Sequence, residues 1–213
     1  RVPMNAFLSK LENEEARLLT LEKTGLLDTV EEDPFEIVAD LVRQVLNVPM
    51  CAVSLVDKDR QWFKAERGLG QRETPRNVSF CGHAIRSYAP FIIEDARSHP
   101  LFHDNPLVLG APFIGSYAGI PLTTAEGFNL GSLCAMDTRP RAFSEHEITI
   151  LTGFATLVMQ HIHLREQAAT DHLTRALTRR IWEAAARKEV SRSRRHGYPI
   201  AVICTDIDHF KAV

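Results

Sequence analysis

Cys51-Ala-Val-Ser-Leu-Val56, Asp57-Lys-Asp-Arg60 and Gln61-Trp-Phe-Lys-Ala-Glu-Arg67 follow one another without a break, and this stretch decides the fold. An apolar run, a four-residue polar turn and a run in which polar and apolar residues alternate predict an antiparallel hairpin. Just upstream, Asp33 as N-cap, Pro34 at the first helical position and Glu36 as a capping carboxylate open a second helix. Its face of Phe35, Val38, Leu41, Val42 and Val45 is expected to cover the sheet. An earlier helix occupies residues 11–27, with Leu11, Leu18, Leu21 and Leu26 roughly on one side and an end near Gly25 and Asp28. Past the hairpin we expect a short helix around Ser79–Arg86, a strand at Phe91–Asp95 and a loop from Arg97 to Gly115. Two more strands, Tyr117–Leu122 and Gly131–Asp137, close the sheet. Loops as long as 97–115 in compact domains are often functional.

Ser144-Glu-His-Glu147 has the form of a capping box and opens an unusually long helix. Ile148, Leu151, Ala155, Val158 and Ile162 recur at alternating steps of three and four, a seam suited to a coiled coil. Run from Glu145 to Ala169, the helix would span roughly 37 Å and act as a dimerising rod between two domains. Composition divides at the same place. Residues 171–213 hold nine Lys/Arg against five Asp/Glu, and residues 1–170 hold sixteen against twenty-two, so a net charge of −2 conceals a basic tail. The arginines of that tail read as a solvated helix face, without the interleaved aromatics of a nucleic-acid binder. The four cysteines, Cys51, Cys81, Cys134 and Cys204, show no framework spacing, which fits a reducing, cytoplasmic setting. The longest nearly apolar run, Ile150–Met159, is half of the roughly 20 residues that a membrane span needs. The chain ends in an apolar segment, Ala201–Thr205, followed by Asp206 and Asp208, a pattern expected for a strand that delivers carboxylates to its end.

Three phrases in order, Ser79-Phe-Cys-Gly-His-Ala-Ile85, Tyr117-Ala-Gly-Ile-Pro-Leu122 and Leu130-Gly-Ser-Leu-Cys-Ala-Met-Asp137, resemble the GAF domains that precede bacterial signalling outputs. The resemblance implies an α+β fold: an antiparallel sheet with helices on one face and a small-molecule pocket or blind cavity on the other. Cys81, His83 and Tyr117 are the candidate pocket residues. Cys81-Gly-His83 offers too few ligands for zinc, and a packed cysteine with a hydrogen-bonded histidine is the plainer reading. A redox enzyme on this fold, such as a free methionine sulfoxide reductase using Cys81 or Cys134, would need a resolving partner that the spacing does not reveal.

Thr170-Asp-His-Leu-Thr-Arg-Ala-Leu-Thr-Arg-Arg180 and Thr205-Asp-Ile-Asp-His-Phe-Lys211 resemble the opening segment and the first metal and phosphate motif of GGDEF diguanylate cyclase domains. By that likeness Asp206 and the Ile207 backbone carbonyl would bind Mg²⁺. The backbone N–H groups near His209 and Phe210, with Lys211, would hold the phosphates of GTP. Arg175 and Thr178 depart from the family's usual Gly and Asn, and the Gly-Gly-Asp/Glu-Glu-Phe hairpin does not appear. The expectation is a sensor domain over residues 1–145, a signalling helix over 145–172 and an incomplete α/β GGDEF domain over 173–213. Such a fragment would be a homodimer through Ile148–Ile162, catalytically incomplete by itself, governing cyclic di-GMP synthesis in its parent. A non-catalytic ligand-binding and dimerisation module with a degenerate output is the alternative.

Overall fold

The hairpin supplies two neighbouring strands of a six-stranded antiparallel sheet in the computed structural model, which describes residues 11–167, 176 and 179–205. The chain divides into two units, Arg1–Ala168 and Ala169–Val213. In the first, helices α1 (Glu14–Thr24) and α2 (Asp33–Leu46) lead into β1 (Met50–Val56) and β2 (Arg60–Arg67). A short edge strand β3 (Glu73–Pro75), the four-residue helix α3 (Cys81–Ala84) and β4 (Phe91–Ile93) follow. A turn of helix α4 (Pro106–Leu109) then lies within the long loop, before β5 (Ser116–Thr123), β6 (Asn129–Asp137) and the long helix α5 (Glu145–Gln167). The strand order is β3-β2-β1-β6-β5-β4. Strands β1 and β6 pair with neighbours on both sides, and every residue of β1 is buried.

Strand alternation sends successive side chains to opposite faces, and each face carries its own core. On the helical side Cys51, Val53, Leu55, Ala118, Ile120, Leu133 and Ala135 meet Phe35, Ala39, Val42 and Leu46 of α2 and Leu151, Ala155, Val158 and Ile162 of α5. On the other side Met50, Ala52, Phe63, Tyr117, Cys134 and Met136 meet Phe80, Cys81, Phe102 and Val108 from α3 and the long loop. Gly131 is required where β6 crosses β1, because a Cβ there would lie 1.9 Å from the Ser54 carbonyl oxygen.

Several local expectations change in three dimensions. Lys64, a polar member of the alternating run in β2, is fully buried. Its Nζ donates to Thr29 Oγ1, the Val30 carbonyl and Glu32 Oε1, each at 2.7 Å, because the segment between α1 and α2 folds over that strand. Helix α2 is rotated from the expected face: Phe35, Ala39, Val42 and Leu46 point inward, and Leu41 and Val45 are exposed. Its N-terminus carries no side-chain cap, since Glu36 is drawn to Arg67 and Glu32 to Lys64 and Arg165. The capping box of α5 does form: the Ser144 N–H donates to Glu147 Oε2 at 2.8 Å, and the Glu147 N–H to Ser144 Oγ at 3.2 Å.

The largest correction concerns α5. The spacing of Leu151, Ala155, Val158 and Ile162 predicts a seam for a second protomer, but all four are buried against the unit's own sheet and α2, with Ile148 packed at their margin. A stripe on one side of a helix serves whichever apolar surface is nearest, and here the sheet supplies it. Arg165 near the C-terminal end of α5 also donates to the Thr24 carbonyl at 2.8 Å and reaches Glu32. The described length of α5 is therefore part of the domain and not a free rod.

In the second unit the described residues form α6 (Arg179–His196), which ends at Gly197 in a left-handed conformation. Tyr198 donates to Glu189 and its carbonyl accepts from Ser193, fastening the turn back onto the helix. Residues 201–205, expected as a buried strand, are exposed and have no regular structure. A strand needs a hydrogen-bonded neighbour, and none pairs with this segment among the described residues. Asp206, Ile207, His209, Phe210 and Lys211 lie outside the described residues.

Candidate functional site

Tyr117 enters the non-helical face of the sheet from β5, and Gly119 makes room for its ring: a Cβ at Gly119 would lie 2.2 Å from the Tyr117 hydroxyl. That hydroxyl donates to Cys81 Sγ at 3.2 Å and shares a 3.1 Å hydrogen bond with Ser132 Oγ. Cys134, on β6, places its Sγ 3.7 Å from Cys81 Sγ and 3.5 Å from the Ala52 carbonyl oxygen. A fully buried polar cluster thus links α3, β5 and β6 beneath an aromatic layer. Phe80 stacks on Phe102 with ring centres 4.0 Å apart and on Tyr117 at 5.2 Å.

The cluster sets an order of ionisation. Burial opposes loss of the Cys81 proton, but the polar groups around the sulfur, the Cys134 thiol and the Ser132, Ser54 and Tyr117 hydroxyls, together offset it and hold this thiol below its ordinary range. Cys134 moves the opposite way, raised first by its bond to Cys81 and then by burial. Burial also raises the Tyr117 phenol. Cys51, buried on the opposite side of β1, is pushed up by desolvation. Among these groups, Cys81 is the one whose surroundings favour the thiolate, with the Tyr117 hydroxyl donating to its sulfur.

Beside Cys81 is a small cavity of about 20 Å³ between the sheet and the loop, lined by Gln61, Phe63, Thr74, Phe80, Cys81 and Tyr117 among others. The buried Thr74 hydroxyl has no hydrogen-bond partner. His83, two residues along α3, does not reach this interior. Its ring meets Phe102 edge-on at 5.1 Å and stacks on Phe91 at 6.2 Å. It borders an outer cleft of about 520 Å³ with Lys58, Asp59, Arg76, Asn77 and Arg86. Burial and the nearby Arg86 and His99 lower the His83 pKa, favouring the neutral ring. Arg76 is already engaged by Glu14 at 2.6 Å and by the Asp57 carbonyl at 3.0 Å.

Of the candidates read from sequence, Cys81 and Tyr117 thus share one site and His83 faces another. The partnership of Cys81 with Cys134 across 53 positions, and that of Tyr117 with Ser132, had no signal in spacing, because the packing of α3 on the sheet makes the first and the pairing of β5 with β6 the second. No group of three or more His, Cys, Asp or Glu side chains among the described residues could hold a metal ion.

The fold and the three phrases that carry it agree with comparison to known proteins. The GAF domain family model matches residues 31–162. This chain belongs to the GAF domain family. The model for the diguanylate cyclase, GGDEF domain matches residues 168–213, directly after the GAF domain. A curated relative, the cyclic di-GMP phosphodiesterase PA2567 of Pseudomonas aeruginosa, is 43% identical over 153 residues, which is 71% of this chain and 26% of the relative. The chain therefore spans about a quarter of that relative's length. Among solved structures, the GAF domain of the Acinetobacter phosphoenolpyruvate-protein phosphotransferase is 21% identical, with a TM-score of 0.55 over 72% of this chain and 96% of its own. The free methionine-R-sulfoxide reductase of Neisseria meningitidis is 18% identical, with a TM-score of 0.54 over 75% of this chain and 93% of its own. At such identities both share the GAF fold and nothing finer. GAF domains commonly bind small ligands, and the interior cluster and outer cleft are where this one offers room.

Proposed function

We propose that this chain is the sensory part of a bacterial cyclic di-GMP signalling protein, in which the GAF domain controls a GGDEF output. One observation carries the reading: a GAF match ending at residue 162 is followed at 168 by a GGDEF match, and a relative at 43% identity is named for cyclic di-GMP turnover. No helix among the described residues is long and apolar enough to cross a membrane, and we place the domain in the cytoplasm. In the output, Asp206 and the Ile207 carbonyl would hold Mg²⁺, and the backbone near His209 and Phe210, with Lys211, would hold the GTP phosphates. Bound there, Mg²⁺ would supply neutralisation of phosphate charge for a reaction that joins the 3′-oxygen of one nucleotide to the α-phosphate of another and breaks the α–β phosphoanhydride bond to release pyrophosphate. That chemistry needs two protomers. With the expected seam consumed by the domain's own core, the dimer contact passes to the outward apolar side chains, Leu157 and Leu164 of α5 with Ile37, Leu41 and Val45 of α2, all exposed.

The printed name of the Pseudomonas relative favours a second reading, in which the protein hydrolyses cyclic di-GMP and its GGDEF segment is a relay without cyclase activity. Arg175 and Thr178 fit that reading, since both depart from the usual opening phrase. A chain carried through the Gly-Gly-Asp/Glu-Glu-Phe hairpin separates the two when assayed with GTP and Mg²⁺ and, separately, with cyclic di-GMP. Synthesis that disappears in Asp206→Asn supports the cyclase; synthesis that survives the substitution removes the metal assignment. Hydrolysis without synthesis establishes the relay.

A further inference from the structure

Neither the fold nor the proposed output uses the buried thiol pair. We propose that Cys81 and Cys134 close to a reversible disulfide when a small peroxide occupies the cavity beside Cys81, which makes the interior of this GAF domain an oxidant-responsive site. The sulfurs already lie 3.7 Å apart, against roughly 2.05 Å in a disulfide. Cys134 is fixed by strand pairing on both sides, to Ala52 of β1 and Gly119 of β5. Cys81 sits on a four-residue helix between turns, so closure asks α3 to move toward the sheet and not the reverse.

The donor geometry assigns the roles. Tyr117 O–H points at Cys81 Sγ, stabilising negative charge on that sulfur, which marks Cys81 as the attacking thiol and Cys134 as the resolving one. The cavity selects the oxidant. Its volume of about 20 Å³ admits a molecule near the size of water, and the unpartnered Thr74 hydroxyl offers that guest a hydrogen bond. Hydrogen peroxide meets both demands, whereas branched organic hydroperoxides and glutathione disulfide exceed the space.

The chemistry balances in two steps. The Cys81 sulfur attacks one peroxide oxygen, an S–O bond forms as the O–O bond breaks, and the departing hydroxide takes the thiol proton and leaves as water. The Cys134 sulfur then attacks the sulfenic sulfur; the S–S bond forms, the S–O bond breaks, and a second water leaves with the Cys134 proton. Two thiols lose two electrons, and one peroxide becomes two waters.

The inference rests on the GAF fold and not on the cyclic di-GMP reading, so its test reads thiols and leaves nucleotide turnover aside. Cys204, the exposed thiol, is first replaced by serine. The protein is exposed to hydrogen peroxide, then unfolded and alkylated, and its mass and peptides are measured. The expected result is a loss of about 2 Da and a Cys81–Cys134 linked peptide, reversed by dithiothreitol, with Cys51 still alkylated. Cys134→Ser should halt at a sulfenic acid that dimedone traps. Tyr117→Phe keeps the ring and the fold, checked by circular dichroism, and should slow the reaction about tenfold by removing one hydrogen bond to a developing charge. Full alkylation of Cys81 and Cys134 after peroxide, or linkage through Cys51, overturns the proposal. Equal rates with tert-butyl hydroperoxide overturn the cavity as its gate.

Discussion

Replacing Glu32 by glutamine tests whether the buried Lys64 is held by charge or only by packing. Lys64 Nζ has three acceptors at 2.7 Å, and Glu32 is the only anion among them. Burial works against the charged lysine and lowers its pKa. For Glu32, burial is the largest influence and raises the pKa, but the bond and charge of Lys64 together with the charges of Arg165 and His161 offset it, leaving the carboxyl below its usual range. Breaking such a pair from one side costs about 3–5 kcal/mol where both charges are fully buried. Glu32 keeps 22% side-chain exposure, and the amide oxygen of the glutamine variant would still accept a neutral hydrogen bond, so we expect a loss of about 2–3 kcal/mol. In a domain of this size that lowers Tm by about 4–12 °C. Lys64→Met removes the buried charge itself and leaves Glu32 paired with Arg165, so it should cost less, about 1 kcal/mol. The assay is urea unfolding followed by Trp62 fluorescence in a Trp182→Phe background. These are the protein's two tryptophans, one buried and 6.0 Å from Lys64 Nζ, the other exposed in the second unit. A Glu32→Gln protein within about 0.5 kcal/mol of its parent, or a Lys64→Met protein less stable than Glu32→Gln, refutes the reasoning.

Acid should weaken the domain over a defined window. Burial raises the pKa of Glu14, but its bonds to Arg17 and Arg76 more than offset this and lower it from 4.5 to about 2. The stability it contributes is present above the unfolded value and is lost as pH falls through the folded one, so urea midpoints should drop between those pH values, and Glu14→Gln should flatten that drop. Two glycine replacements should move stability in opposite directions. Gly131→Ala meets backbone at 1.9 Å and should cost about 2–3 kcal/mol, whereas Gly153→Ala, on an open helix face with nothing within 4 Å, should add about 0.5–1 kcal/mol; denaturant midpoints check both. Leu157→Glu with Leu164→Glu should shift sedimentation toward monomer while the unfolding midpoint stays within about 0.5 kcal/mol, and an unchanged dimer would move the contact elsewhere.

Local chemistry made most of the architecture legible. The hairpin, the strands at Tyr117 and Gly131, the Ser144 capping box and the order of the three GAF phrases all rest on neighbours close in sequence. Features set by long-range packing were not. The faces of α2 and α5 depend on where the sheet lies, and a stripe of apolar residues reads the same whether a sheet or a second protomer covers it. Lys64 sits in an alternating pattern whose polar face is roofed by residues 29–32. At the site, Cys81 and Tyr117 could be named from their phrases, yet the contact of Cys81 with Cys134 exists only through the packing of α3 on the sheet, and that of Tyr117 with Ser132 only through the β5–β6 register. The strand expected at 201–205 shows the converse limit, since propensity alone does not hold a strand without a partner.

Strands β5 and β6 carry Tyr117 and Cys134 on one side and Ala118, Ile120, Leu133 and Ala135 on the other, where α5 rests. The candidate site and the helix leading toward the GGDEF segment are therefore separated by the thickness of a single sheet. The two alanines beneath α5 leave little side chain to absorb a displacement of the strands. The sheet is thus a diaphragm: a displacement of β5 or β6 on the thiol side would move the surface on which the helix stands.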